Sequence, residues 1–273
     1  MFDSYSDKNV VITGGGGGIG AALGKAFLEA GAQVALIDVD DAALQRVAKE
    51  HATETQAGRL LVVQTDLRSD ASVAAAMEEI VSAFGDIHIL VNGAAIVLRG
   101  TPAAEILMES WKTVMDINFF GAVRCTRALM PNMQAHGQPA KIVNIASAAG
   151  FFAPGRATAA YGASKFALVA FTEDLEIELA HSNVDICMVV PAAVSTQMYV
   201  SSARQLEQIT EDKAALADTM KTPPADIQAG MKPAQIADKI LNAVLTDTFY
   251  IMTHPEVMPM LKKRHDRIIA AFG

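Results

Sequence analysis

Val10-Val11-Ile12-Thr13-Gly14-Gly15-Gly16-Gly17-Gly18-Ile19-Gly20 is the stretch on which the reading of the whole chain turns. Three β-branched apolar residues read as the end of a buried strand, five glycines turn the chain, and residues 19–30 have helical composition up to Gly31. In a strand, glycine turn and helix, the bare turn lets a backbone approach a pyrophosphate. The unpaired N–H groups and dipole of the helix N-terminus then favour the anion. A flexible linker is a poor alternative, because linkers are not usually clamped between a buried strand and a helix. Two registers fit the run: G-x-G-x-x-G at Gly15, Gly17 and Gly20, or G-x-x-x-G-x-G at Gly14, Gly18 and Gly20. The run by itself leaves the choice open.

Downstream, residues 33–37 form the next apolar strand and end in Asp38. A carboxylate there accepts hydrogen bonds from both hydroxyls of an adenosine ribose and repels a 2′-phosphate, which favours NAD over NADP. No Lys or Arg lies in the glycine turn or directly after Asp38 to offset that repulsion. Asp38 can alternatively cap the helix that begins near Asp40. The alternation continues with a helix to about residue 53, strand 59–64, helix 69–84 and strand 87–91. Such alternation predicts an α/β fold, a doubly wound parallel sheet with helices on both faces. Ligands bind such sheets at the carboxyl ends of strands, which places Asp66, in the turn after the third strand, and Asn92, after the fourth, at the cofactor. Asp66 can instead simply start its helix.

A long helix is expected over residues 110–136, with Asn118 in its interior. Asn is slightly unfavourable there because its side chain competes for backbone hydrogen bonds, so the position invites a functional reading, although a tolerated polar residue is also possible. Strand 141–145 breaks into Ala146-Ser147-Ala148-Ala149-Gly150, putting Ser147 at another carboxyl edge. In the helix expected over 158–180, Tyr161 and Lys165 lie four apart on one face, one turn from each other. A neighbouring cation favours phenolate, so such a tyrosine can exchange a proton with an alcohol or ketone nearer neutral pH. Strand 185–190 closes at Pro191.

After Pro191 the alternation loosens. Residues 192–232 are rich in Ser, Thr, Gln, Met and charge, with a helix expected within 202–220 and a break at Pro223-Pro224. An excursion at a strand's carboxyl end is a candidate substrate lid, with Met198, Tyr199, Val200 and Leu206 as apolar lining or as packing against the body. Helix 234–246 and strand 249–252 complete the sheet, and the tail 254–273 reads as a solvated helical face carrying Lys262, Lys263, Arg264 and Arg267.

The bulk properties fit this picture. The 273 residues are 51% hydrophobic and 19% charged, enough for one large core and consistent with a single domain over 1–273. A net charge of −8 without a basic stripe disfavours nucleic acid. Cys125 and Cys187 sit in apolar segments, so a reduced, cytoplasmic chain without a disulfide is expected. The N-terminus lacks the basic and apolar regions of a signal peptide, and no run of about 18 apolar residues suggests a membrane span. The six histidines show no metal-ligand spacing, and no metal is expected.

Together, Thr13-Gly14-x3-Gly18-Ile19-Gly20, Asp38, Asp66-Leu67, Asn92-Gly93, Asn118, Ser147, Tyr161-x3-Lys165, Pro191 and Thr196 resemble the classical short-chain dehydrogenase/reductase family over about residues 8–252. The resemblance selects the Gly14, Gly18, Gly20 register. It implies a Rossmann-like sheet of about seven strands and a homotetramer, or a homodimer, built on helices 110–136 and 158–180. By resemblance Tyr161 is the acid/base, Lys165 holds the nicotinamide ribose, Ser147 orients the substrate oxygen, Asn118 positions a relay water and Thr196 bonds the carboxamide. Two departures concern cofactor packing: Asn92-Gly93-Ala94-Ala95 where the family has Asn-Asn-Ala-Gly, and Pro191-Ala192 where it has Pro-Gly. The expected activity is NAD-dependent interconversion of a secondary alcohol and a ketone on an apolar, aromatic or alicyclic small molecule. A reductase of carrier-bound 3-oxoacyl groups and a catalytically idle NAD-binding regulator are the alternatives.

Overall fold

The computed structural model describes residues 2–155, 157–209 and 223–272. Seven parallel strands form one sheet in the order β3-β2-β1-β4-β5-β6-β7. They are β1 (Asn9–Thr13), β2 (Gln33–Asp38), β3 (Leu60–Gln64), β4 (Ile89–Asn92), β5 (Ala140–Ile145), β6 (Val184–Val190) and β7 (Tyr250–Met252). The order reverses between β1 and β4, so the crevice predicted at the carboxyl edge opens beside the glycine turn. All seven strands were anticipated, most within one or two residues.

Alternation within β1 shows why the sheet is covered on both faces. Val10 and Ile12 pack with Leu23 and Phe27 of α1 (Gly18–Glu29), with Leu44 of α2 (Asp41–Glu50), and with residues of a later helix, Ile236 and Ile240. Val11 points the other way, toward Val73, Met77 and Ile80, which return after the short helix α3 (Ala52–Gln56) and β3 on α4 (Asp70–Phe84). Side chains of successive strand residues face opposite sides, so a continuous apolar run must be buried twice.

The predicted helix 110–136 is the one long element that differs from expectation. It is α5 (Met108–Met115), a π-helical turn at Asp116–Phe120, and α6 (Gly121–Ala135). The widened turn carries Asn118, whose amide is drawn inward to the backbone of the chain after β4. Next come α7 (Ala159–Glu178), α8 (Met198–Ile209), the short α9 (Ala225–Gln228), α10 (Pro233–Val244), which supplies Ile236 and Ile240, and α11 (Met258–Ile269). The helix expected within 202–220 coincides with the last part of α8; its remainder lies outside the described residues. Among the described residues no helix is long and apolar enough to cross a membrane.

A buried polar chain ties the sheet centre to the helices behind it. Asn92 Nδ2 donates to Asn144 Oδ1 at 2.8 Å and to Thr126 Oγ1 at 3.2 Å, while Asn144 Nδ2 donates to Thr172 Oγ1 at 2.9 Å. Asn92 and Asn144 are paired across β4 and β5, and Asn144 is 0% exposed. Removing one member orphans its partners away from water. Asn144→Ala is expected to destabilise the protein by about 2–4 kcal/mol, read as a lower urea midpoint at unchanged m-value.

Candidate active site

A cavity of about 960 Å³ runs along the carboxyl edge of the sheet, from the glycine turn to α8. The conformation of the turn distinguishes its glycines. Gly14 and Gly18 hold φ of 75° and 56°, and a Cβ on Gly20 would lie 2.2 Å from the Gly14 carbonyl oxygen. Gly17 is extended with open space around it, so the G-x-G-x-x-G register has no structural basis at that position. The N-cap of α1 contributes no side-chain hydrogen bond, leaving the first N–H groups of the helix for an anion.

At this end of the cavity Asp38 Oδ2 accepts from Gly16 N at 3.0 Å and Oδ1 from Asp40 N at 3.1 Å. The cap of α2 is Asp40, which accepts from Ala43 N, so Asp38 is not spent on capping. Burial raises the Asp38 carboxyl above its usual range, partly offset by these N–H donors. Sequence reasoning missed Arg46, which lines the cavity and donates to the Gly16 carbonyl at 2.8 Å. It sits eight residues past Asp38, and only the winding of α2 brings it back beside the turn. Asp66 also lines the cavity, held by Arg68 Nε and a terminal guanidinium nitrogen at 2.9 and 2.6 Å. That hydrogen bonding keeps its carboxyl below the usual range. The cap of the following helix is Ser69, which leaves Asp66 outside that role.

Thr13 Oγ1 joins the two turns of the crevice by accepting from Gly93 N at 2.9 Å and Ala94 N at 3.0 Å. Gly93, Ala94 and Ala95 all line the cavity, as do Ile19, Leu67, Pro191 and Thr196. The Thr196 methyl lies 3.4 Å from where a Cβ on Gly18 would stand.

The catalytic candidates meet where β5 ends. Ser147 accepts from Ala149 N at 3.1 Å, and its hydroxyl lies near enough to the Tyr161 phenol to oppose the rise in the phenol's pKa. Lys165 Nζ donates to the Ile145 carbonyl at 2.7 Å and lies 5.9 Å from the centroid of the Tyr161 ring. Ser147, Tyr161 and Lys165 all line the cavity. Two predicted site residues do not. Asn92 belongs to the buried polar chain of the fold, where its Oδ1 finds no partner among the described residues. Asn118, 1% exposed, spends its amide on Ile96 N and O, both at 2.8 Å, and on Ser164 Oγ at 3.0 Å. Ser164 in turn donates to the Tyr161 carbonyl at 2.7 Å, so the side chain of Asn118 braces the helix turn that carries the tyrosine.

The electrostatics correct one expectation. A cation one turn away should lower the phenol, yet burial dominates in the protein itself. Desolvation pushes Tyr161 up to about 12, against the Ser147 hydroxyl, and pushes Lys165 down to about 7. Lys165 is buried and Tyr161 half-buried at the cavity lining, and each group resists its charged form there.

The lid falls within expectation, with both alternatives realised, and the tail differs from it. Met198, Tyr199 and Val200 line the cavity, whereas Leu206 is fully buried against Ile96, Leu98 and Val114. Glu256, Val257 and Met260 line it too, so the beginning of the tail is wall and not only solvated surface. Cys125 and Cys187 are buried free thiols, each pushed up to about 12 by desolvation.

Fold and site together are those of an oxidoreductase on a Rossmann-type sheet. The family model for the short chain dehydrogenases matches residues 8–207, and the chain belongs to that family. It is 31% identical over 274 residues to the CLA biosynthesis dehydrogenase/reductase of Lactiplantibacillus plantarum, covering 97% of this chain and 94% of that protein. Against the 1-deoxy-11-beta-hydroxypentalenate dehydrogenase of Streptomyces exfoliatus the identity is 28%, covering 96% and 88%. A short chain dehydrogenase/reductase from Burkholderia phymatum, solved in complex with NAD, superposes with a TM-score of 0.86 at 30% identity, covering 99% and 97%.

The buried lysine has a consequence for stability. Its folded pKa lies below the ordinary value near 10.5, so between about pH 7 and 10.5 the unfolded chain binds more protons and stability rises with pH. Lys165→Met removes that dependence. Urea unfolding is expected to show the variant gaining most on wild type at pH 7 and below, with the advantage shrinking toward pH 10. A difference that stays flat with pH would contradict the burial argument.

Proposed function

We propose that the protein is an NAD-dependent oxidoreductase that interconverts a secondary alcohol and a ketone on an apolar small molecule. The observation that carries this reading is the meeting of Ser147, Tyr161 and Lys165 on the lining of the cavity that also holds Asp38. The nicotinamide cofactor, when bound, supplies the hydride acceptor or donor. Everything else falls to the chain. Tyr161 is held protonated by burial, the form that donates to a ketone oxygen during reduction. Ser147 keeps that oxygen within reach of the phenol; oxidation is the reverse step, in which Tyr161 must first be phenolate to accept the hydroxyl proton. Lys165, after its bond to Ile145, retains N–H donors for a ribose. Gly14, Gly18, Ile19, Gly20, Asp66, Leu67, Gly93, Pro191 and Thr196 would hold the rest of the cofactor.

Asp38, in front of Gly16, supports NAD over NADP, although Arg46 brings a cation to the same corner. The substrate end is walled by Phe152, Pro154, Met198, Val200, Ile227, Val257 and Met260, which supports an apolar body. The relative named for a hydroxypentalenate supports an alcohol on such a body. Exposed Phe120 and Ile177, on the π-helical turn and on α7, support assembly of copies through these helices, which light scattering would test against a monomer mass.

Two measurements test the catalytic reading. Over a panel of aliphatic, alicyclic, aryl and steroid alcohols, Tyr161→Phe is expected to lower kcat/KM by roughly 10²–10⁴ while NADH binding persists. Wild type is expected to use NAD at least about tenfold better than NADP. A variant with most of its activity removes Tyr161 from the mechanism, and a preference for NADP removes Asp38 from cofactor selection.

A further inference from the structure

We infer that His254 is a positioning residue, whose ring clamps the loop after β6 into the shape that receives the nicotinamide end of the cofactor. The cofactor part of this inference rests on the function proposed above; the clamp itself rests on geometry alone. His254 follows β7 and is 3% exposed. Its Nδ1 lies 3.1 Å from Ala192 N and its Nε2 lies 3.0 Å from the Ala193 carbonyl. An amide N–H only donates and a carbonyl only accepts, so the ring is neutral with its proton on Nε2. One side chain thereby holds the N–H of one residue and the carbonyl of the next, in opposite senses. With Nδ1 an acceptor, the Thr253 hydroxyl donates to it at 2.7 Å, and the same oxygen lies 3.2 Å from the Val190 carbonyl.

The clamped loop is central to the site. Ala192 and Ala193 line the cavity with Lys165 and Tyr161. The Pro191 carbonyl accepts from Ala148 N at 2.8 Å, which ties the loop to the turn carrying Ser147. On the other side Met231 N donates to the Ala193 carbonyl at 3.0 Å and Ser195 N to the Met231 carbonyl at 2.9 Å, just before Thr196. These other ties are backbone bonds that many sequences can supply. The imidazole is the residue-specific one, and it acts where this chain carries Ala192 in place of the glycine of the family pattern.

The two bonds can be removed separately. In His254→Asn the amide oxygen can take the place of Nδ1, and in His254→Gln the amide nitrogen can take the place of Nε2; His254→Ala keeps neither. Hydrogen exchange at the amides of residues 192–196, measured without cofactor, is expected to quicken in the order wild type, Asn or Gln, Ala. NADH binding, followed by its fluorescence, is expected to weaken in the same order, on the order of tenfold for Ala. The loss should fall on the KM for NAD more than on kcat. If His254→Ala does not fold, the Asn and Gln variants still compare the two bonds. Wild-type exchange and wild-type NADH affinity in the variants overturn the inference. So does a lowered melting temperature alone, since that is what a fold strut would give. Wild-type protein that binds neither NADH nor NADPH overturns the functional reading, while the exchange measurement still decides the clamp.

Discussion

The site is organised by one enclosed contact, the Lys165 ammonium against the carbonyl that ends β5. Water is excluded there, with Lys165 only 2% exposed, so the ammonium must find its partners within the protein or give up its charge. Holding it requires α7 to lie close against the turn after β5. Gly150 allows this approach, since a Cβ there would stand 2.8 Å from the Lys165 carbonyl oxygen. The same approach brings Ser147 onto Tyr161. The enclosure that assembles the pair also shifts both of its members toward neutrality.

Around that contact the polar side chains divide by what they face. Ser147, Tyr161, Asp38 and Asp66 face the cavity. Asn92, Asn144, Thr172 and Asn118 face inward and keep strands and helices in register. Buried amides of this kind specify an arrangement more than they stabilise it, because each hydrogen bond made replaces one lost to water. Asn118 shows how the two groups connect: it bonds the chain after β4, then Ser164, and Ser164 bonds the peptide of Tyr161. A change at Asn118 would therefore reach the phenol through the backbone of α7.

The parallel sheet, the switch beside the glycine turn and the Ser147, Tyr161, Lys165 group were legible because each depends on local patterns. Buried strands need continuous apolar runs, a turn under a phosphate needs glycine, and a spacing of four on a helix puts two side chains on one face. Arg46 was not legible, since its place beside Gly16 depends on how α2 winds back over the turn. Nor was the π-helical turn. A widened turn leaves no local mark in composition, and Asn118 signals it only through the partners that fold around it. The tail was misjudged for a related reason: its charged residues dominate the pattern, while Glu256, Val257 and Met260 reach the cavity only because β7 ends at the carboxyl edge.

By itself the sequence determined the kind of fold, the crevice at the carboxyl edge of the sheet and the residue types gathered at positions 147, 161 and 165. These follow from backbone geometry and from short-range spacing, both of which are written into neighbouring residues. Tertiary structure alone decided the inward turn of Asn92 and Asn118, the reversed electrostatics of the Tyr161 and Lys165 pair, and the clamp of His254 on a loop more than sixty residues before it in the chain. Those outcomes depend on burial and on contacts between distant segments. A pKa or a hydrogen-bond partner is set by what surrounds a group in space, and the chain defines that only once it has folded.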